Sequence, residues 1–149
     1  MSLGNSAEND LMLLIFNNTN WANVGDATGL RGSTTAGSFF VSLHTASPGE
    51  TGNQTTSEAS WTNYARVAVA RSSAGFTVSG TAPTQAANTA ATTYASSGSG
   101  PQTMTDFAVG RDTSGTGELL WYGALTASLV INSGVTPSFA IGALVCTAD

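Results

Sequence analysis

Residues 38–80 alternate apolar and polar side chains with a period of two, and that pattern constrains the fold more than any other feature of the chain. In 38–45 (SFFVSLHT), Phe39, Val41 and Leu43 fall on one face while Phe40, Ser42 and His44 fall on the other. In 64–71 (YARVAVAR), Val67 and Val69 oppose Arg66, Ala68 and Ala70, and Phe76 and Val78 repeat the period in 75–80 (GFTVSG). Half-buried strands of an antiparallel sheet read this way. Trp61 and Tyr64 stand where the chain enters the second run, a place where aromatic rings anchor a loop or form a binding surface.

Further strands are expected at 103–111, 118–124, 127–132 and 137–147, with a weak one at 89–95 in a stretch, 81–100, that is nearly all Ala, Thr, Ser and Gly. In 137–147, Phe139, Ile141, Ala143 and Val145 fall on one side. The total is about eight short strands with turn signals roughly every ten residues, the spacing of an all-β, jelly-roll-like β-sandwich. Ahead of them, 7–16 reads as one short N-terminal helix, with Asn5 and Glu8 set to close a capping box. It is apolar almost all round, which predicts burial, and without flanking Lys or Arg it is not a membrane-surface helix. The long polar connection 17–37 carries Trp21, Val24 and Leu30 as its large apolar residues; connections of that length are functional or pinned by partners. The expected organisation is a single domain: arm, helix and loop over 1–37, and the sandwich over 38–149.

Composition removes several classes of function. The four basic residues are all arginines (Arg31, Arg66, Arg71 and Arg111) against nine carboxylates, a net charge of -5. No basic surface for nucleic acid follows from that. A chain without lysine has no Walker loop and no Schiff-base nucleophile. His44 and Cys146, one of each type, predict no zinc site; His44 reads as a structural hydrogen-bond partner of the adjoining loop and Cys146 as a small buried hydrophobe. Asp106 and Asp112 read as salt-bridged turn residues rather than a glycosidase acid/base pair, with Arg111 beside Asp112. Arg66 and Arg71 alternate with apolar residues on a mostly neutral strand, and an arginine so placed is expected to pair with a carboxylate, within the chain or across a subunit interface. The apolar run 11–16 is too short to span a bilayer and follows Glu8 and Asp10 with no basic residue, so neither a signal peptide nor a membrane span is expected. A non-enzymatic protein without cofactor or metal, folded in a reducing cytoplasm, is the resulting expectation.

Residues 40–52 (FVSLHTASPGETG), 64–71, 75–80, 106–110 (DFAVG), 117–125 (GELLWYGAL), 134–139 (GVTPSF) and 11–17 (LMLLIFN) together resemble a family of small tailed-phage virion proteins. Members of that family carry tail-fibre labels, and β-sandwich proteins of similar kind act as trimeric cement, or decoration, proteins on capsid exteriors. The resemblance implies a virion structural protein made in the host cytoplasm: a homotrimeric cement bound to the major capsid protein. The alternative is a receptor-binding module of a tail fibre or tailspike, stacking Trp21, Trp61, Tyr64 or Tyr94 on host surface glycans. In either role the helix and long loop are the expected contact segments, through Leu11, Leu14, Ile15, Trp21, Leu30 and Arg31.

Overall fold

The computed structural model describes residues 3–81 and 83–148. One helix, α1 (Asn5–Asn17), precedes nine strands: β1 (Ser38–His44), β2 (Val67–Ala70), β3 (Phe76–Ser79), β4 (Thr84–Asn88), β5 (Thr92–Thr93), β6 (Gln102–Gly110), β7 (Leu119–Ile131), β8 (Ser138–Phe139) and β9 (Val145–Ala148). They form sheets in the orders β2-β1-β6-β7, β3-β4-β9 and β5-β8. Among the described residues the fold is all-β with a single short helix, and the two-residue alternation predicts its β class. Among the described residues no helix is long and apolar enough to cross a membrane. Two compact units each gather separate stretches of chain: residues up to Ser38, Val69–Ala91 and the chain from Phe139 in the first, Phe39–Ala68 and Thr92–Ser138 in the second.

In the first unit α1 packs on β3 and β4. Glu8, Met12 and Phe16 are its buried residues, four apart, so one stripe faces the strands. Phe16 meets the Phe76 ring edge-on at 4.8 Å. Because the helix rests on one layer of strands, burial is confined to that stripe; Leu11, Leu14 and Ile15 are half-buried, unlike the all-round burial expected from their apolarity. The capping box does not form either. The helix starts two residues earlier than expected, with Gly4 as its N-cap, and Glu8 is buried and accepts a bond from the Thr84 amide at 3.4 Å. At the other end Arg71 donates from Nε to the Ile15 carbonyl at 2.5 Å and from Nη2 to the Leu14 carbonyl at 2.7 Å. These carbonyls belong to the last turn of a helix with no basic residue of its own there.

β4 lies in the stretch that looked nearly low in complexity. Thr84, Ala86 and Asn88 point inward from it, and side chains this small leave no hydrophobic signal. Asn88 also divides the expected 137–147 strand. Its Nδ2 donates to the Ala140 carbonyl at 2.9 Å and its Oδ1 accepts from the Leu144 amide at 2.9 Å, which holds a turn between β8 and β9. Ile141 is consequently 70% exposed, Val145 lies outward, and Leu144 and Cys146 are the buried residues.

In the second unit β1 pairs antiparallel with β6 from Phe40↔Gly110 to His44↔Asp106. From Val41 to His44 every residue of β1 is buried, so this strand is covered on both faces rather than one. β7 is a single 13-residue edge strand where two strands were expected. It follows β6 through irregularities between Met104 and Asp106 and between Val109 and Gly110.

Candidate functional site

The chain reaches Arg66 just before β2 and buries its guanidinium, whose side chain is only 3% exposed. Nε and Nη2 bond the two carboxylate oxygens of Glu58 at 2.7 and 2.8 Å, the bidentate geometry that suits a planar fork. Nη1 donates to the Asp112 carbonyl at 2.9 Å and Nη2 to the Gly115 carbonyl at 2.7 Å. These bonds use four of the five guanidinium donors. The Glu58 hydrogen bonds hold Arg66 above the usual arginine range against the opposing cost of burial.

A second buried side chain fastens the same β6–β7 loop, residues 111–118. Gln54, fully buried, donates from Nε2 to the Asp112 carbonyl at 3.2 Å and accepts the Asp112 amide on Oε1 at 3.0 Å. Its own amide bonds the Gly117 carbonyl at 2.9 Å. Gly110 and Gly117 bracket the loop because a Cβ at either would run into the Gln54 side chain. Outside, Arg111 lies 3.6 Å from Asp112 and 3.5 Å from Glu118, both exposed pairs of small energetic weight.

Between the Arg66–Glu58 pair and the loop lies an open cleft of ≈ 250 Å³ lined by Glu58, Tyr64, Ala65, Arg66 and residues 113–115. Tyr64 donates its hydroxyl to Glu58 Oε1 at 2.9 Å and accepts the Leu43 amide at 3.2 Å. Burial and the Glu58 charge raise its pKa well above the ordinary tyrosine value. Trp61 meets the Tyr64 ring edge-on at 4.8 Å, and Tyr94 stacks nearly parallel to it at 6.1 Å.

His44 lies nearby in the sheet and is fully buried. Its Nδ1 is 2.8 Å from the Thr56 carbonyl, which only accepts, so Nδ1 carries the proton. Nε2 then accepts the Ser42 hydroxyl at 2.8 Å. Burial is the main cause that lowers the His44 pKa, reinforced by Arg66 and opposed by the Thr56 bond, Glu58 and Asp106. With Ser42 also fully buried, this Ser–His contact is a closed internal bond.

The residues expected to make contacts fall elsewhere, in the first unit. Trp21 and Leu30 are brought together by reciprocal backbone bonds of 2.8 and 2.9 Å across a turn in which Asp26 Oδ1 accepts the Thr28 amide at 2.7 Å. Leu30 is 43% exposed, Trp21 is half-buried and Arg31 is exposed. Leu11, Leu14 and Ile15 stay half-buried on α1. Of the aromatics considered for stacking, Trp61 and Tyr94 are buried beside Tyr64, and only Tyr64 lines the cleft. Arg66 has its expected carboxylate, supplied by Glu58 of the same chain, whereas Arg71 bonds the Leu14, Ile15 and Ala36 carbonyls and Ser33 Oγ instead of a carboxylate. Gln54, Glu58 and the 113–115 segment carry no motif; the signal that marks them is the pair of glycines flanking a polar loop, which becomes meaningful once Gln54 is seen between them.

Fold and site define a small all-β protein that presents a braced, hydroxyl-rich loop beside an open cleft. The sequence model of the family described as podophage GP4 fiber I protein gp80 matches residues 2–147, and the chain belongs to that family. It is a fibre-type structural protein of the phage virion. The resemblance to tailed-phage virion proteins is upheld at that level, while the family's description names a fibre rather than a capsid cement. Among curated proteins, none matches the chain.

Proposed function

We propose that this protein is a non-enzymatic receptor-binding module of a phage tail fibre that contacts glycans on the host surface. The observation that supports the reading is the bracing of the exposed β6–β7 loop by Arg66 and Gln54, two buried side chains that bond its backbone from beneath. A recognition loop held rigid before binding loses less entropy on contact, so buried polar groups spent on a surface loop favour recognition over packing alone. The fibre description of the family sets the context and favours this reading over a trimeric cement on the capsid lattice.

Quantifying copies per purified particle separates the two: a few dozen or fewer fit a fibre, hundreds fit a cement. The purified chain, fluorescently labelled, is expected to bind host cells and to slow phage adsorption when added in excess. Hundreds of copies per particle, together with shells that weaken on heating when the protein is absent, would falsify the receptor-binding reading.

A further inference from the structure

Resting on that receptor-binding reading, we propose that the cleft formed by Glu58, Tyr64, Arg66, Thr113, Ser114 and Gly115 holds one neutral sugar ring of the host glycan. The size sets the first limit. At ≈ 250 Å³ the cleft lies below the ~300–1,000 Å³ of pockets that take drug-sized ligands, so it admits one ring and leaves the rest of a chain in solvent.

The lining sets the second. Tyr64 walls the cleft with a half-buried side chain whose ring packs on Trp61 and Tyr94 and whose hydroxyl is already committed to Glu58 and Leu43. Thr113 and Ser114 are exposed and offer hydroxyls that both donate and accept, the complement of a sugar's own. Arg66 retains one donor on Nη1 beyond its four bonds, and the loop carbonyls it holds are fixed in place.

The charge sets the third. The Arg66 cation is already matched by both oxygens of Glu58, so the cleft carries no net charge from this pair. An anionic sugar would bring a second carboxylate beside Glu58 without a cation to receive it, on a protein of net charge -5. A neutral ring meets no such repulsion.

The test uses the full chain with a panel of free monosaccharides: glucose, galactose, mannose and rhamnose as neutral probes, glucuronate and N-acetylneuraminate as anionic ones. Saturation-transfer NMR is expected to detect at least one neutral sugar and neither anionic one. Ser114→Trp, which fills the cleft from an exposed loop position, is expected to abolish that signal and weaken host-cell binding by roughly tenfold or more. The paired Thr113→Ala and Ser114→Ala substitutions check the same surface without added bulk, and are expected to weaken both. If the native chain binds host cells and Ser114→Trp binds them equally well, the cleft is not the site, though the receptor-binding reading stands. Binding of the anionic probes alone overturns the neutral-ligand assignment. A chain that binds neither cells nor any sugar overturns both.

Discussion

Gln54 and Asp112 are joined through both backbone polar groups of one residue: the Gln54 carboxamide accepts the Asp112 amide and donates to the Asp112 carbonyl. A buried side chain thus stands in for a strand partner and sets the path of the loop between β6 and β7. Gln54→Ala removes both bonds and opens a void where the amide was. We expect a loss of ~1–3 kcal/mol, read as a lowered denaturant midpoint. Gly110→Ala should cost a similar ~1–3 kcal/mol by overpacking, since its Cβ would displace the same side chain. An unchanged midpoint in both variants refutes this account of the loop.

The ion pair beneath the loop carries a larger penalty when split. Arg66→Met leaves the Glu58 carboxylate, 13% exposed in its side chain, without its cation. The expected cost is about 3–5 kcal/mol, lowering the melting temperature by ~10 °C. Adding Glu58→Leu in the same chain should recover part of that loss, because the orphaned charge is removed along with its partner. Strictly additive effects in the double-mutant cycle would contradict the pairing.

His44 makes stability depend on pH in one direction. Its folded pKa is lowered by burial from the ordinary 6.5, so between those two values the unfolded chain binds a proton that the folded chain does not. The contribution of the neutral ring is complete above pH 6.5 and is lost as pH falls from there through the folded value. The slope should approach ~1.4 kcal/mol per pH unit within that window. His44→Gln should flatten the curve between pH 6.5 and about 5, before the carboxylates titrate. Parallel stability curves for the two proteins would reject the assignment.

Arg71 should matter most at the end of α1. Arg71→Gln withdraws the donors from the Leu14 and Ile15 carbonyls and the bond to Ser33 Oγ at 3.1 Å. The expected result is a loss of ~1–3 kcal/mol and faster proteolysis within residues 18–37. Cleavage at native rates would show that the loop is held by other contacts.

The Cys146 thiol is pushed up to about 12 by burial and should be inert in the folded protein. Ellman's reagent is expected to label it fully in denaturant and negligibly in buffer at pH 8. Rapid labelling of native protein would mean that β9 opens readily.

The alternation in residues 38–80 and the helical spacing of Leu11, Leu14 and Ile15 in the apolar run 11–16 were enough, in one dimension, to indicate an all-β fold with one N-terminal helix. Hydrophobic periodicity is a local property, and it survives without knowledge of neighbours. β4 was invisible because Thr84, Ala86 and Asn88 are too small and polar to mark a buried face. The division of the last strand was equally hidden, since it depends on Asn88, 52 residues from Ala140. The site shows the same limit. Arg66 could be read as needing a carboxylate, but which one, and that the guanidinium would also hold Asp112 and Gly115, followed only when strands distant in sequence came side by side. Burial, and with it the strength of each hydrogen bond and the shift of each pKa, belongs to the folded arrangement because it depends on the groups that exclude water around a residue rather than on the residue itself.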